Sequence, residues 1–142
     1  MRRIVIFTPL DEKLQDQLKD NLEVFDWLDD YEVHYVHIFK KDNYPYMIPP
    51  YIYPNKEQEP EIEKSVIEIL EGFSYKTKTK CNFHRCVFHE NIRTAANEII
   101  AEIKPHMVAT VTRKKEGLQN VFGSSFSEHL LRTSPAAVLV LH

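Results

Sequence analysis

Four side chains with metal-binding chemistry fall within nine residues: Cys81, His84, Cys86 and His89. Thiolate and imidazole suit zinc, but this spacing follows no common tetrahedral pattern. In a strand, Cys81 and Cys86 point to opposite faces, and His84 and Cys86 share one. No metal centre is expected. A second group, Ser124, Ser125 and Ser127 with His129, has the types of a nucleophile and its base. The same serines ahead of a helix also read as an N-cap cluster. No paired carboxylates or oxyanion-hole signature accompany them, so catalysis is not expected. A third group, Arg113, Lys114 and Lys115 with Ser124 and Ser125, is either an anion-friendly edge at a helix N-terminus or a solvated basic turn. Glycines that would let backbone N–H groups cradle a phosphate are scarce. The chain has three, Gly72, Gly117 and Gly123, with no G-x-G-x-x-G and no Walker lysine loop.

Most distinctive are Tyr44, Tyr46, Tyr51 and Tyr53, interleaved with Pro45, Pro49, Pro50 and Pro54. Aromatics on a proline-stiffened loop lose little entropy when presented to a protein partner. They could equally fold over a ligand edge as a lid, or pack against the end of a sheet and a helix.

The elements that must position these groups follow from the apolar pattern. Ile4 to Phe7 is a continuous apolar run, the mark of a strand covered on both faces. It reads as a strand and not as the core of a signal peptide. Asp11 stands where an N-cap belongs. Leu14, Leu18, Leu22, Phe25 and Leu28 then predict an amphipathic helix over about 12–28. Residues 31–39 are β-branched and aromatic, a second strand. A long Tyr/Pro-rich loop occupies about 40–60. Pro60 opens a helix whose buried face is Ile62, Val66, Ile69, Leu70 and Phe73. A third strand is expected near Cys81–Phe88, a helix from Ile92 to Ile103 stopped by Pro105, and a fourth strand over Met107–Val111. A short helix over 125–133 turns Leu130 and Leu131 inward, and Ala137–Leu141 is the fifth strand. This alternation predicts an α/β domain spanning 1–142, a parallel sheet with right-handed crossovers. Ligands of such sheets bind outside the carboxyl ends of the strands, here residues 8–11, 38–42 and 111–125.

Composition narrows the function classes. The 142 residues are 43% hydrophobic and 27% charged, as in a globular domain. Lys and Arg number 18 against 21 Asp and Glu, a net charge of -3. A broad basic footprint for nucleic acid or an anionic membrane is absent. No apolar run approaches the ~18 residues of a membrane span. Two cysteines make no disulfide framework, so a reducing, cytoplasmic setting is expected.

From Ala109 to His142 the sequence resembles the universal stress protein family. Arg113, Gly117, Leu118, Ser125, Ser127, Glu128, Arg132, Pro135 and the strand Val138-Leu139-Val140 match its pattern without gaps. Thr8 and Glu12 match more weakly at the first strand, and His37-Ile38 falls where the family has His-Val. The resemblance implies an α/β, Rossmann-like fold of the adenine-nucleotide-hydrolase type, an open five-stranded parallel sheet in the order 3-2-1-4-5 with helices on both faces. It also implies a nucleotide edge built from Thr8, Ile38, Val111, Lys114, Ser124 and Ser125. The nucleotide-binding branch has Gly-x2-Gly-x9-Gly-Ser or Thr, whereas this chain has Val111, Lys114 and Ser124, followed by Ser125. The family's acidic residue after strand one is Pro9 here. A branched side chain replaces bare backbone, and easy access to positive φ is gone. ATP binding in the family's usual mode is therefore expected to be lost, with no cofactor. The alternative is an ATP- or AMP-binding switch with weak or no hydrolysis. The resemblance further implies a homodimer through Ala137, Val138, Leu139, Val140 and Leu141, since an isologous pairing hides two sheet edges.

Overall fold

The computed structural model describes residues 1–28, 30–40, 58–74, 77–112 and 125–141, with Ser125 by its backbone only. Central in the sheet is β1 (Arg2–Phe7), flanked by β2 (Tyr31–Lys40) and β4 (Met107–Val111). Outside β2 lies β3 (Asn82–His89), and outside β4 lies β5 (Ala137–Leu141). All four pairings are parallel, as the alternation predicts, and the order is the expected 3-2-1-4-5. Ile4 aligns with Val33 on one side and Met107 on the other. Ile4 to Phe7 are all buried, as a central strand covered twice requires.

The four helices among the described residues divide between the two faces. On one, Leu18 of α1 (Glu12–Asn21) and Val66 and Leu70 of α2 (Glu59–Glu71) pack with Ile4, Ile6, Tyr35 and Phe39. On the other, Ala95, Ala96, Ile99 and Ile100 of α3 (Ile92–Ile103) and Leu130 of α4 (Ser125–Thr133) pack with Val5, Phe7, Val36 and Val108. Burying each large side chain contributes about 1.5–3 kcal/mol. Asp11 caps α1 as expected, its Oδ1 accepting from the N–H groups of Lys13 at 2.9 Å and Leu14 at 3.2 Å. Asn91 caps α3 through Thr94 N–H at 3.1 Å. The end of α3 is Lys104, left-handed at φ 52. The Arg3 guanidinium satisfies the last carbonyls there, Nε donating to Ile103 at 2.9 Å and Nη2 to Lys104 at 3.0 Å.

Several expectations need correction. The first helix does not run to 28: α1 ends at Asn21 and tightens into a 3-10 turn over Leu22–Phe25. The bonds there close three residues back, Asp26 N–H donating to the Glu23 carbonyl at 2.9 Å and Leu28 N–H to the Phe25 carbonyl at 3.0 Å, the closure of the tighter helix. Leu22, Phe25 and Leu28 are buried all the same. Ile69 is not part of the buried face of α2. It is 39% exposed, because the stripe Ile62, Val66, Leu70, Phe73 already faces the sheet. Leu131 points outward, 60% exposed, while its neighbour Leu130 takes the inward position. Pro60 is the second residue of α2, after Glu59, where its missing N–H is still harmless. Of the Tyr/Pro loop, β2 takes Lys40 and α2 the residues from Glu59. Tyr44, Tyr46, Tyr51 and Tyr53 lie outside the described residues. No described helix is long and apolar enough to cross a membrane.

Candidate ligand edge at the strand carboxyl ends

The order of the strands reverses at β1, whose neighbours are β2 and β4. Chains leaving adjacent strands toward opposite faces open a crevice at their carboxyl ends. A cavity of about 180 Å³ lies there. Its floor is Phe7, Thr8 and Pro9 from the end of β1, with Val36, His37 and Ile38 from β2 and Thr110 and Val111 from β4. Ile92, the first residue of α3, and Phe126 of α4 close it from the helical side. Phe126 meets Phe7 edge to face, ring centroids 5.3 Å apart.

The fold thus brings together Thr8, Ile38 and Val111 from three strands far apart in sequence. Thr8 is buried, its N–H donating to the Val36 carbonyl at 2.7 Å and its hydroxyl to the Ile6 carbonyl at 3.1 Å. Val111 is buried, and its side chain also belongs to the core on the α1 face. Lys114 and Ser124, with the basic turn around them, lie outside the described residues, and so does the Ser125 side chain.

His37 is the residue whose structural role the sequence pattern left undefined. Its Nδ1 stands 2.7 Å from the Thr8 carbonyl oxygen. A carbonyl can only accept, so Nδ1 carries the proton and Nε2 keeps a lone pair in the neutral ring. Burial lowers the His37 pKa from its ordinary value, and the bond to Thr8 opposes that only in part. The ring ties the end of β2 to the residue just past β1 and sets one wall of the cavity. The His-Ile dipeptide was legible as a family match, but its tie to Thr8 depends on the β1–β2 register.

A second cavity, about 360 Å³, adjoins the first and shares Ile92 and Phe126 with it. Its other walls are Lys40, Glu90, Asn91 and Arg93, so it is polar where the first is apolar. No signal singled these residues out, because they carry no motif and meet only when the end of β2 abuts the start of α3.

The other sequence candidates separate. His84 and Cys86 share a face of β3, as alternation requires, but each is otherwise engaged. His84 Nε2 lies 2.6 Å from Ser74 Oγ, and its ring stacks on Tyr35 with centroids 5.7 Å apart. Cys86 is buried, and burial, then Glu63 and Glu59, push its thiol pKa up to about 12. Among the described residues no group of three or more His, Cys, Asp or Glu could hold a metal. Ser127 is buried and, among the described residues, its hydroxyl has no partner. His129 pairs instead with Asn97 of α3, Nε2 to Oδ1 at 3.1 Å. Ser127 and His129 form no nucleophile–base pair.

Comparison with known proteins places this geometry. Residues 12–142 match the model of the universal stress protein family. A universal stress protein from Archaeoglobus fulgidus superposes with TM-score 0.68 at 12% identity, covering 100% of this chain and 94% of the other. A universal stress protein solved in complex with cAMP gives TM-score 0.67 at 11% identity, covering 99% and 96%. An Archaeoglobus fulgidus universal stress protein in complex with dAMP gives 0.63 at 10%, covering 100% and 98%. No curated protein matches.

Proposed function

The chain belongs to the universal stress protein family, and from that premise we propose that it is a regulatory binding module without robust catalysis, which does not hold ATP in the family's usual mode. The observation that carries this reading is Val111. It stands at the cavity with a branched, buried side chain where the nucleotide-binding pattern places glycine. Backbone that bears a Cβ cannot approach a phosphate as bare glycine does. The cavity itself is apolar and large enough for one ring: an apolar void of about 150 Å³ accepts benzene. Thr8, Ile38 and Val111 are the proposed lining residues, with Lys114, Ser124 and Ser125 as the proposed remnant of the phosphate side. Calorimetry with ATP and AMP is expected to show no binding at about 100 μM. A Kd of about 10 μM or tighter, roughly 7 kcal/mol, overturns the reading.

A second reading, an ATP- or AMP-binding switch with weak or no hydrolysis, is favoured by the neighbours solved with cAMP and dAMP. The same titration decides between the two.

The assembly proposed is a homodimer through Ala137–Leu141. Its support is the place of β5 at the sheet edge, with β4 on one side and a strand free of charged residues. Light scattering at high concentration is expected to give twice the chain mass, and a clean monomer removes the dimer. Tyr44, Tyr46, Tyr51 and Tyr53 remain the proposed surface for a protein partner. Changing all four to Ser is expected to abolish pulldown of that partner while leaving thermal stability nearly intact. Family membership supports a cytoplasmic setting.

A further inference from the structure

We propose that Ser74 is an acyl-acceptor site, its hydroxyl taking the acyl group of an activated ester or thioester with the His84 imidazole as base. The site lies at the amino end of β3, on the face of α1 and α2, and is independent of the cavity at the strand carboxyl ends.

The pair forms because the chain turns back between α2 and β3. Ser74 follows the buried Phe73, and His84 lies near the start of β3. Ser74 Oγ stands 2.6 Å from His84 Nε2, the hydrogen-bond reach of a nucleophile and its base. Both residues are half-buried, so the pair is neither sealed in the core nor left to swing in solvent. Tyr35 holds both members. Its ring stacks on the imidazole, centroids 5.7 Å and planes 7° apart. Its hydroxyl donates at 3.4 Å to the Phe73 carbonyl, part of the peptide bond that enters Ser74. Thr77 holds the other side, its hydroxyl donating to the Ser74 carbonyl at 3.4 Å. A base and a nucleophile fixed by their neighbours react without first being ordered. Burial lowers the His84 pKa from 6.5, and the Glu71 carboxylate opposes that only in part. The ring is therefore neutral at about pH 7, and Glu71 favours the imidazolium once it forms.

With the ring proton on Nδ1, Nε2 accepts from the Ser74 hydroxyl. As Oγ bonds to the acyl carbon, the hydroxyl proton passes to Nε2. The bond from that carbon to the leaving sulfur or oxygen breaks, and the leaving group takes the proton from Nε2. The acyl group stays on Ser74 as an ester. What the pair supplies is a base, so the donor that fits it carries a leaving group able to depart readily. Ser65 gives the contrast: it is exposed on α2, but its hydroxyl donates to the Glu61 carbonyl at 3.2 Å, which takes up no proton.

The test treats the full chain with p-nitrophenyl acetate at about pH 7 and locates the acetyl group by peptide mass spectrometry. Ser74 is expected to be acetylated at least about tenfold faster than Ser65, although exposure alone favours Ser65. Ser74→Ala is expected to remove that adduct. His84→Gln, shown folded by its melting curve, keeps a hydrogen-bonding group but no base, and is expected to slow acetylation of Ser74 about 100-fold, the low end of what a general base contributes. Glu71→Gln, at an exposed position, is expected to slow it about threefold, as a solvent-screened charge should. No acetyl group on Ser74, or a rate no greater than that of Ser65, overturns the inference. A rate on Ser74 that His84→Gln leaves unchanged overturns it as well, since the hydroxyl then reacts without its base. Should His84→Gln fail to fold, Glu71→Gln decides, and an unchanged rate there overturns it.

Discussion

The two faces of the sheet are built to different ends. Against α1 and α2 the strands present large rings: Tyr31, Tyr35 and Phe39, meeting Phe25 of the 3-10 turn and Phe73 just past α2. Tyr35 is fully buried, stacks on Phe73 at 5.9 Å and donates to the Phe73 carbonyl at 3.4 Å. Against α3 and α4 the residues are smaller, with Ala95 and Ala96 on the helix and Val5, Val36 and Val108 on the strands. Small side chains let a helix approach closely along its length, but they do not fill the flare at the carboxyl end. There the cavity lies, held open by Phe7, Ile92 and Phe126. One face spends its volume on a filled core, and the other leaves room for a ligand. In the proposed reading, the filled side serves stability and the open side serves binding.

That contrast can be broken most sharply on the filled face. Tyr35→Ala removes the largest fully buried side chain among the described residues and is expected to lose about 3–5 kcal/mol in a urea titration. On the open face, Ala96→Leu forces volume between α3 and the sheet and is expected to lose about 1–3 kcal/mol. A similar loss from Phe126→Ala, rather than a milder one with greater ring uptake, would mean that the cavity wall is ordinary core. Cysteine chemistry sharpens the comparison without a mutation. Cys86 on the filled face has its thiol pushed up to about 12, so iodoacetamide at pH 8 is expected to modify half-buried Cys81 first. Equal rates would show that the filled face opens readily.

The pH response is smaller. His37 and His84 both have folded-state values lowered by burial from 6.5. The unfolded chain therefore binds their protons more readily, and stability held above about pH 6.5 falls as pH drops through the lowered values. His37→Asn keeps a donor for the Thr8 carbonyl and removes the titration, so the acid limb of the Tm profile is expected to flatten. Smallest of all is Arg85→Ala. Its 2.9 Å ion pair with Glu102 is exposed on both sides, so the change is expected to stay within about 1 kcal/mol.

Much of this was legible in the residues. Ile4–Phe7 announced a twice-covered strand, Asp11 a cap, and the β-α alternation a parallel sheet, whose order the family resemblance supplied. The 3-10 turn at Leu22 was not legible, since spacings of three and four also belong to an ordinary helical stripe. The site was legible in part. Thr8, Ile38 and Val111 were nameable from their places after strands, through a family resemblance. Lys40, Glu90 and Arg93 were not, since charged residues near loop ends are ordinary in any sequence.

Local pattern determined the elements and which side of each is apolar, because periodicity of 2 or 3.6 residues follows from backbone geometry alone. Tertiary structure decided the rest. Only parallel pairing of β1 with β2 sets His37 against Thr8 across 29 residues of sequence. Only the crossover through α3 carries Ile92 and Arg93 beside Lys40. A cavity is the space between elements, and no single element contains its shape.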